Sequence, residues 1–305
     1  GDAGDIGIVA GDLSVSGGSI ITSSTGGSGD AGTLGLVAEG RILLDDGHIT
    51  TVTTQGSTGR SGTVAIDAGE LVLLDGTIRT NSSSASEAGG ILIEAPRITL
   101  VGEDAAISSA NTFDGVGDAG AIFMTTEQLA LLDGARLSTA SSNGAAGTIE
   151  IFMLETGLLL LQSRGTPSLI TTSSGPGTGG RIFIARPRAI ITNGGQILAL
   201  GQEGGANVQI ATDFFIRSAD RFNRVAVDGA FLLEATVGDI SSGTVNRDLS
   251  VIDASGVLRG QCASVRASGQ VSQLVVRPIG PYGNRAAPVA PPPSEAGGLT
   301  TGSCF

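Results

Sequence analysis

Gly29-Asp30-Ala31-Gly32-Thr33-Leu34-Gly35-Leu36 is the stretch that decides the fold, because a Gly-Asp-Ala-Gly corner leads directly into alternating apolar residues. The same corner stands at residues 1–4 and 117–120. Related corners fill the gaps: GRSG at 59–62, SEAG at 86–89, GAAG at 144–147, GTGG at 177–180, and a degenerate copy that ends at Ala206. The fourth positions of successive corners are 28, 30, 27, 31, 27, 33 and 26 residues apart. A period of about 29 residues is typical of a solenoid.

Each corner is followed by apolar residues two and four positions after its last residue. These pairs are Ile6/Ile8, Leu34/Leu36, Val64/Ile66, Ile91/Ile93, Ile122/Met124, Ile149/Ile151, Ile182/Ile184 and Val208/Ile210. The residue between the two members of a pair is unrestricted. This alternation predicts a short strand with one buried face in every period.

Two further strands follow within each period. A second alternating pair occurs at Leu13/Val15, Ile42/Leu44, Leu71/Leu73, Ile98/Leu100 and Leu129/Leu131, and a third strand opens at Ile20, Ile49, Ile78, Ile107, Leu137 and Ile197. Three short strands between Gly, Asp and Ser corners predict an all-β fold, a right-handed parallel β-helix of about eight or nine coils. A leucine-rich repeat is the main alternative, but its Leu-x-x-Leu-x-Leu spacing and helical segment are missing.

The composition excludes several kinds of chemistry. The 305 residues include 49 glycines, one histidine, one tyrosine and no tryptophan, and all 17 basic residues are arginine. A Walker-type phosphate loop and a Schiff-base enzyme both need lysine, and a two-histidine metal site needs a second histidine. The net charge of -12 argues against binding to nucleic acid. We therefore expect a scaffold that carries no cofactor and is not an enzyme.

The cysteines indicate an oxidising compartment. Cys262 and Cys304 are the only two, and an even number in an acidic chain without lysine fits an exported protein with one disulfide. Such a bond would close a loop of about 43 residues and constrain the unfolded chain by roughly 4 kcal/mol. It would stabilise the tail, or make the looped tail a cap or tether for the solenoid.

The corner and its alternating strand resemble the coils of filamentous-haemagglutinin-like exoproteins of bacterial two-partner secretion, above all the cyanobacterial members. The segment from Val245-Asn246 through Ser250–Leu258 to Gln261-Cys262 is similar to that group's C-terminal VNVVDPS signature followed by a cysteine. The chain is accordingly divided into a β-helix over residues 1–235, capping strands over 236–277 and a Pro/Gly-rich tail over 278–305. The expected disulfide closes that tail.

This resemblance implies export through an outer-membrane partner transporter and exposure at the bacterial cell surface. The protein would act as an adhesin or as a fibrous stalk. Its partners would be glycans or proteins of host or neighbouring cells, or further copies of itself joined end to end into fibres. The family's N-terminal secretion domain is not in this sequence, so the resemblance implies the C-terminal part of a longer protein.

An acidic turn repeats at the second corner. Asp45 and Asp75 are expected in the same register of adjacent coils, about 5 Å apart. With His48 beside them they could form a calcium or acid/base site. The alternative is that Asp and Gly are simply the residues that a tight turn prefers.

Two other groups could form contact surfaces. Hydroxyl runs after the third strand would form one polar stripe that contacts glycans or neighbouring fibres, or solvated corners; the stripe consists of Thr22, Ser23, Thr51, Thr53, Ser82, Ser83, Ser141, Ser142, Thr171 and Thr172. A late group of arginines could bind an acidic polysaccharide or pair with the protein's own carboxylates; its members are Arg181, Arg186, Arg188, Arg217, Arg221 and Arg224.

A polysaccharide-active lyase or hydrolase on the same fold is the alternative function. Such an enzyme would use several carboxylates with Lys, Arg or His bases, and aromatic platforms for sugar rings. One tyrosine and no tryptophan leave few residues for those platforms.

Overall fold

The computed structural model describes residues 1–112, 117–218, 220 and 222–237. All regular elements in this part of the chain are β-strands. No helix in these ranges is long and apolar enough to span a membrane. Residues 238–277 of the capping strands expected over 236–277, the tail, and the cysteines Cys262 and Cys304 lie outside the described residues.

The strands form two sheets of twelve and eight strands. The larger sheet contains β1 (Ile6–Ala10), β2 (Leu13–Ser16), β4 (Leu34–Asp45), β6 (Val64–Leu74), β8 (Ile91–Glu94), β9 (Arg97–Val101), β11 (Ile122–Leu132), β13 (Thr148–Gln162), β15 (Arg181–Ala185), β16 (Ala189–Asn193), β18 (Ala206–Arg217) and β20 (Gly229–Val237). The smaller sheet contains β3 (Ile20–Thr25), β5 (His48–Thr53), β7 (Thr77–Ser82), β10 (Ala106–Asn111), β12 (Arg136–Ser141), β14 (Ser168–Ser174), β17 (Gly195–Gly201) and β19 (Arg224–Val227).

Coils stack in register with a step of one period. Leu34 pairs with Ile6 in the preceding coil and with Val64 in the next one, and all strand pairs run parallel. The smaller sheet receives one strand from each coil, in the order β3-β5-β7-β10-β12-β14-β17-β19. The prediction of a parallel β-helix with a period of about 29 residues is therefore confirmed. Its right-handed winding stays a prediction.

The first two strands of a coil are less separate than the sequence predicts. They are distinct in the coils that begin with β1, β8 and β15, but they join into one long strand in β4, β6, β11, β13 and β18. The register of β4 against β6 shifts between Ala38 and Arg41. A bulge of this kind bends a strand, so the larger sheet turns a corner without ending its strands.

The apolar core consists of ladders of like residues. The predicted pairs of the first and second strands align coil on coil; Leu71, for example, pairs with Ile42 and with Ile98, and all three are at most 1% exposed. The ladder that starts the third strand contains Ile49, Ile78, Ile107 and Leu137, as predicted. Burial of these stacked apolar side chains is the main favourable term for the fold.

One member of the third ladder is corrected by the structure. Ile20 was expected to enter it, but Ile20 pairs with His48 and is 59% exposed. Ile21 pairs with Ile49 and packs against the core instead. Two isoleucines stand side by side here, and the register against the next coil places the second one inward.

Glycine columns allow the coils to approach closely at the first corner. A β-carbon on Gly62 would overlap the carbonyl oxygen of Gly32, and a β-carbon on Gly147 would overlap that of Gly120. The column is Gly4, Gly32, Gly62, Gly89, Gly120, Gly147 and Gly180. None of these glycines has a left-handed backbone, so the distance between coils, rather than chain conformation, requires glycine here.

The aspartates of the same corner bond one coil to the next. The Asp2 carboxylate accepts a hydrogen bond from the backbone N–H of Asp30 at 3.0 Å, and the Asp30 carboxylate accepts one from Arg60 N–H at 2.8 Å. Asp118 does the same for Ala145 N–H at 2.8 Å. The Asp of the Gly-Asp-Ala-Gly motif is therefore explained by stacking.

Asp30→Ala is expected to lower the free energy of unfolding by about 1 kcal/mol, because Arg60 N–H loses a charge-assisted acceptor. Asp30→Asn keeps an acceptor oxygen and is expected to lose less. Urea denaturation of the two variants measures the difference. Equal losses for both would contradict the assigned hydrogen bond.

Candidate functional site

The acidic turn at the second corner contains residues with a left-handed backbone. Asp46, Asp75 and Asp133 have positive φ angles of 53°, 50° and 52°, and Gly17, Gly102 and Gly194 are also left-handed at this corner. Asp tolerates this conformation better than most residues, and glycine adopts it freely. Asp46, rather than Asp45, therefore occupies the turn position of Asp75.

The predicted ion or acid/base site is not assembled as expected. Asp45 and Asp75 form an isolated backbone bridge, and both side chains are exposed. His48 Nδ1 instead lies 2.9 Å from the Thr77 hydroxyl in the next coil. Within the described ranges, no three His, Cys, Asp or Glu side chains are placed to hold a metal ion. Turn formation accounts for the regular spacing of these aspartates along the solenoid.

The predicted hydroxyl stripe is divided between the inside and the outside of the coil. Six of its members are buried: Ser23, Thr51, Thr53, Ser82, Ser141 and Thr172. The expectation of a contact surface is corrected for these six, because alternate residues of a strand point to opposite faces. Thr22, Ser83, Ser142 and Thr171 remain at least partly exposed.

Several buried hydroxyls form hydrogen bonds with backbone groups of the glycine corner. Ser23 donates to Gly4 O at 3.0 Å and accepts from Gly32 N–H at 2.9 Å. Thr51 donates to Gly62 O at 2.7 Å. Gly corners have no side chains, so their backbone groups would otherwise lack partners inside the coil. The inner hydroxyl row, Ser23, Thr51, Thr80, Ser109, Thr139 and Thr172 in register, is therefore part of the core.

Two members of this inner hydroxyl row supply a matched test. The buried Thr139 hydroxyl has no hydrogen-bond partner, whereas the Thr51 hydroxyl bonds to Gly62 O. Thr51→Val is expected to lose about 1–3 kcal/mol of unfolding free energy, while Thr139→Val is expected to be neutral or stabilising. Both changes keep the side-chain shape. Equal effects in urea denaturation would contradict the role of the inner hydroxyls.

The outer face of the smaller sheet carries a second row of hydroxyls. Thr22, Thr50, Ser108, Ser138 and Thr171 share one register position, which Arg79 interrupts. Thr50 donates to the Thr22 hydroxyl at 3.0 Å. Only Thr22 and Thr171 belong to the predicted stripe. This outer hydroxyl row is one partly exposed polar surface of the solenoid.

The arginines of the late group differ in their interaction partners. Arg181 lies 3.7 Å from Glu150 and its guanidinium lies 5.1 Å from the Phe183 ring centroid. The side chain of Arg217 donates to Asn223 O at 3.2 Å. Among the described residues, Arg186 and Arg188 form no ion pair. Arg221 lies outside the described residues. Pairing with the protein's own carboxylates thus holds for Arg181, but not for Arg186 and Arg188.

Arg186 and Arg188 lie at a corner of the larger sheet, where both form backbone hydrogen bonds to neighbouring coils. Both are exposed on either side of the buried Pro187. Arg186 has a φ of 67°. Its N–H donates to Ala211 O at 3.1 Å, and Arg188 N–H donates to Gly157 O at 2.8 Å. The corner borders a cavity of about 1170 Å³ that also includes Phe214, Asp213 and Glu234 in its wall.

The larger sheet exposes an apolar surface that sequence analysis missed. This outer apolar face consists of Val37, Leu92, Phe123, Phe152 and Leu154, which are 40–52% exposed. The Phe152 ring contacts the Phe183 ring edge to face, with centroids 5.7 Å apart. The face contains a shallow groove of about 320 Å³. The signal was available, since Phe123 stands between the two buried positions of its first strand and Phe152 directly follows the buried pair of the next coil.

Comparison of the chain with protein-family models, curated proteins and solved structures found no match. By its fold, the protein is a parallel β-solenoid. The resemblance to two-partner exoproteins stays a prediction from the sequence. Functional inference consequently depends on the surfaces and hydrogen bonds of the solenoid itself.

Proposed function

We propose that the protein is a non-enzymatic exoprotein of the bacterial cell surface, a β-helical stalk whose sides serve in adhesion. The observation that carries this proposal is that repeated polar residues bond one coil to the next. The Asp30 carboxylate accepts a hydrogen bond from Arg60 N–H, and the Thr51 hydroxyl donates one to Gly62 O at the glycine corner. Residues used in this way build a stiff, uniform body rather than a reaction centre.

The outer hydroxyl row is the contact surface of this proposal. Its hydroxyls repeat at the spacing of the coils, about 4.8 Å, and each can donate and accept a hydrogen bond. Glycans of host or neighbouring cells offer hydroxyls of the same kind. Export by an outer-membrane partner transporter is part of the proposal and follows from the sequence resemblance.

Adhesion can be tested with labelled protein on glycan arrays and on intact cells. Replacing Thr22, Thr50, Ser138 and Thr171 together by alanine is expected to weaken binding, by about 1 kcal/mol for each hydroxyl that contacts the ligand. Ser14→Ala with Thr99→Ala, on the outer side of the larger sheet, is the matched control. Wild-type protein that binds neither glycans nor cells would contradict an adhesive role.

End-to-end assembly is a finer form of the same proposal. The end coil of a solenoid presents strand edges that a coil of another copy with the same spacing can extend by parallel pairing. Electron microscopy of concentrated protein is expected to show fibres one solenoid wide. Isolated short rods at every concentration would contradict end-to-end assembly. The adhesive role of the stalk would then be tested by the adhesion assay alone.

The enzymatic alternative has its own assay. Incubation with acidic and neutral polysaccharides, followed by measurement of reducing ends and unsaturated products, is expected to show no cleavage. Cleavage that is lost when Asp45 and Asp75 are replaced would overturn the proposal. A variant with the exposed Asp12 replaced serves as the control in that case.

A further inference from the structure

We propose that the corner of the larger sheet formed by Arg186, Pro187 and Arg188 binds an oligosaccharide whose sugars carry a carboxylate, that is, a uronate oligosaccharide. This inference goes beyond the proposed function, because it assigns a ligand to residues that the outer hydroxyl row does not include. The site is the cavity of about 1170 Å³ that these three residues border. Its wall also includes Thr156, Asp213, Phe214 and Glu234.

The corner between the first and second strands of a coil departs from the repeat next to this cavity. In the register of β11 against β13, residues 153–157 stand opposite residues 126–127 of the preceding coil. Residues 95–96 fill the same corner one coil earlier. The enlarged corner of β13 contributes Thr156 to the cavity wall. Extra residues in a repeat protein form loops on one face, which is often the face that binds ligands.

The backbone of Arg186 is the second departure from the repeat. Its φ of 67° lies in the left-handed region, and the other non-glycine residues of the described chain with a positive φ are all aspartates in turns. This region is unfavourable for a residue with a β-carbon, whereas glycine adopts it freely. Strained residues of this kind cluster at sites that bind ligands. An arginine in this position therefore indicates that its side chain has a role there.

An earlier coil provides a comparison within the molecule. Pro96 lies at the corner before β9, as Pro187 lies at the corner before β16, and a threonine hydroxyl of the next coil donates to each proline carbonyl oxygen, at 3.2 and 2.9 Å. Arg97, which follows the first proline, forms an ion pair with Glu70 at 3.3 Å. Arg188, which follows the second proline, forms no ion pair with a described residue. The similar corner of β9 therefore neutralises its arginine, and the corner of β16 does not.

Charges of both signs line the cavity. Asp213 and Glu234 are exposed, as Arg186 and Arg188 are. None of these four side chains forms an ion pair with a described residue, so all four are available to a ligand. Two positive and two negative groups cancel in total charge. A ligand with one carboxylate in each sugar is therefore favoured over a more densely charged polyanion, which the two acidic side chains would repel.

The groups of the cavity wall match the groups of a uronate. The planar guanidinium of arginine binds a carboxylate through two parallel hydrogen bonds. The carboxylates of Asp213 and Glu234 can accept hydrogen bonds from sugar hydroxyls. Phe214, which is 38% exposed, offers an apolar surface to the C–H groups of a sugar ring. Pockets for small ligands measure about 300–1,000 Å³, so a cavity of this size suits several linked sugars better than a single amino acid.

Isothermal titration calorimetry on the full chain tests the ligand class. The probes are trisaccharides of galacturonate, of glucuronate and of mannuronate. We expect at least one of them to bind with a dissociation constant of about 0.1–1 mM, and more weakly at high salt. Its methyl ester has the same sugars without the charge and is expected to bind more than about tenfold more weakly. Absence of binding by all three acids at about 10 mM, or equal binding of acid and ester, would overturn the proposal.

Substitution of the arginines tests the location. Arg186→Gln with Arg188→Gln is expected to weaken binding of the trisaccharide more than about tenfold. Arg136→Gln with Arg164→Gln makes the same change of charge at exposed residues outside the cavity wall and is the control. Arg186→Gly alone is expected to weaken binding while the urea midpoint of unfolding stays the same or rises, because glycine relieves the strained backbone. Equal weakening by the two double variants would overturn the site.

The acidic side of the cavity separates a saccharide from a zwitterion. Asp213→Asn with Glu234→Gln keeps oxygen acceptors for sugar hydroxyls and removes two negative charges. Uronate binding is therefore expected to be kept or strengthened. An amino acid that binds more tightly than the trisaccharides, and loses affinity in this variant, would overturn the assignment to a saccharide. Adhesion through the outer hydroxyl row is measured with different variants, so either proposal can fail while the other stands.

Discussion

Gly62→Ala is expected to lower the free energy of unfolding by about 3 kcal/mol, which is at the upper end for overpacking by one methyl group. The new β-carbon would overlap the carbonyl oxygen of Gly32. That oxygen belongs to the backbone of the neighbouring coil and cannot move aside as a flexible side chain does. The two coils would have to separate, which weakens the parallel hydrogen bonds on either side of the corner. Urea denaturation and the thermal midpoint measure the loss.

Gly35→Ala provides the control for this substitution. Gly35 lies in β4 on the outer side of the sheet, and an added β-carbon would meet nothing within 4 Å. We expect Gly35→Ala to change stability by less than about 0.5 kcal/mol or to raise it slightly, because alanine restricts the unfolded chain. If Gly62→Ala were as harmless as Gly35→Ala, close stacking of the coils at the corner would not be the reason for the glycine column.

Ile107→Ala is expected to cost about 2–5 kcal/mol, the range for large-to-small changes in a well-packed core. Ile107 is fully buried and lies between Ile78 and Leu137 in the ladder of the third strand. Neighbours of both adjacent coils would border the cavity, and the regular backbone gives them little freedom to fill it. Equilibrium unfolding in urea measures this change, with circular dichroism near 218 nm as the signal for β-structure.

Ile20→Ala is the companion measurement. Ile20 is 59% exposed, so its truncation is expected to change stability by less than about 0.5 kcal/mol. The comparison also tests the corrected register, since the sequence placed Ile20 in the same ladder as Ile107. A large loss for Ile20→Ala would return Ile20 to the core and contradict the pairing of Ile21 with Ile49.

The core was predictable because buried residues of a strand recur at every second position of the sequence. Large aliphatic residues at every second position of a strand are stable only when they face the core. Every predicted pair of the first two strands lies in its ladder. Ile20 failed because two isoleucines stand together, and only the pairing with the next coil decides which one turns inward. That pairing is a property of two coils and is not visible within one.

The hydroxyl residues were harder to place because serine and threonine are small and can lie on either the inner or the outer face of a coil. Thr51 and Thr53 are buried and Thr50 is not, yet all three are threonine. Continuing the alternation from Ile49 through Thr51 to Thr53 would have assigned the inner face correctly. The outer apolar face was missed because no pattern was sought in the outward positions beside the buried pairs, although Phe123 stands between Ile122 and Met124 and Phe152 directly follows Ile151.

The contacts of the glycine corner reach only from one coil to the next, as do the Asp30 and Thr51 hydrogen bonds. Removal or duplication of one whole period would therefore create the same junction that already exists between neighbours, and would change the height of the solenoid by about 4.8 Å. Gene duplication within the repeat can adjust reach in small, equal increments while each surface row is preserved. Length is in this sense a heritable trait that can vary without redesign of the fold.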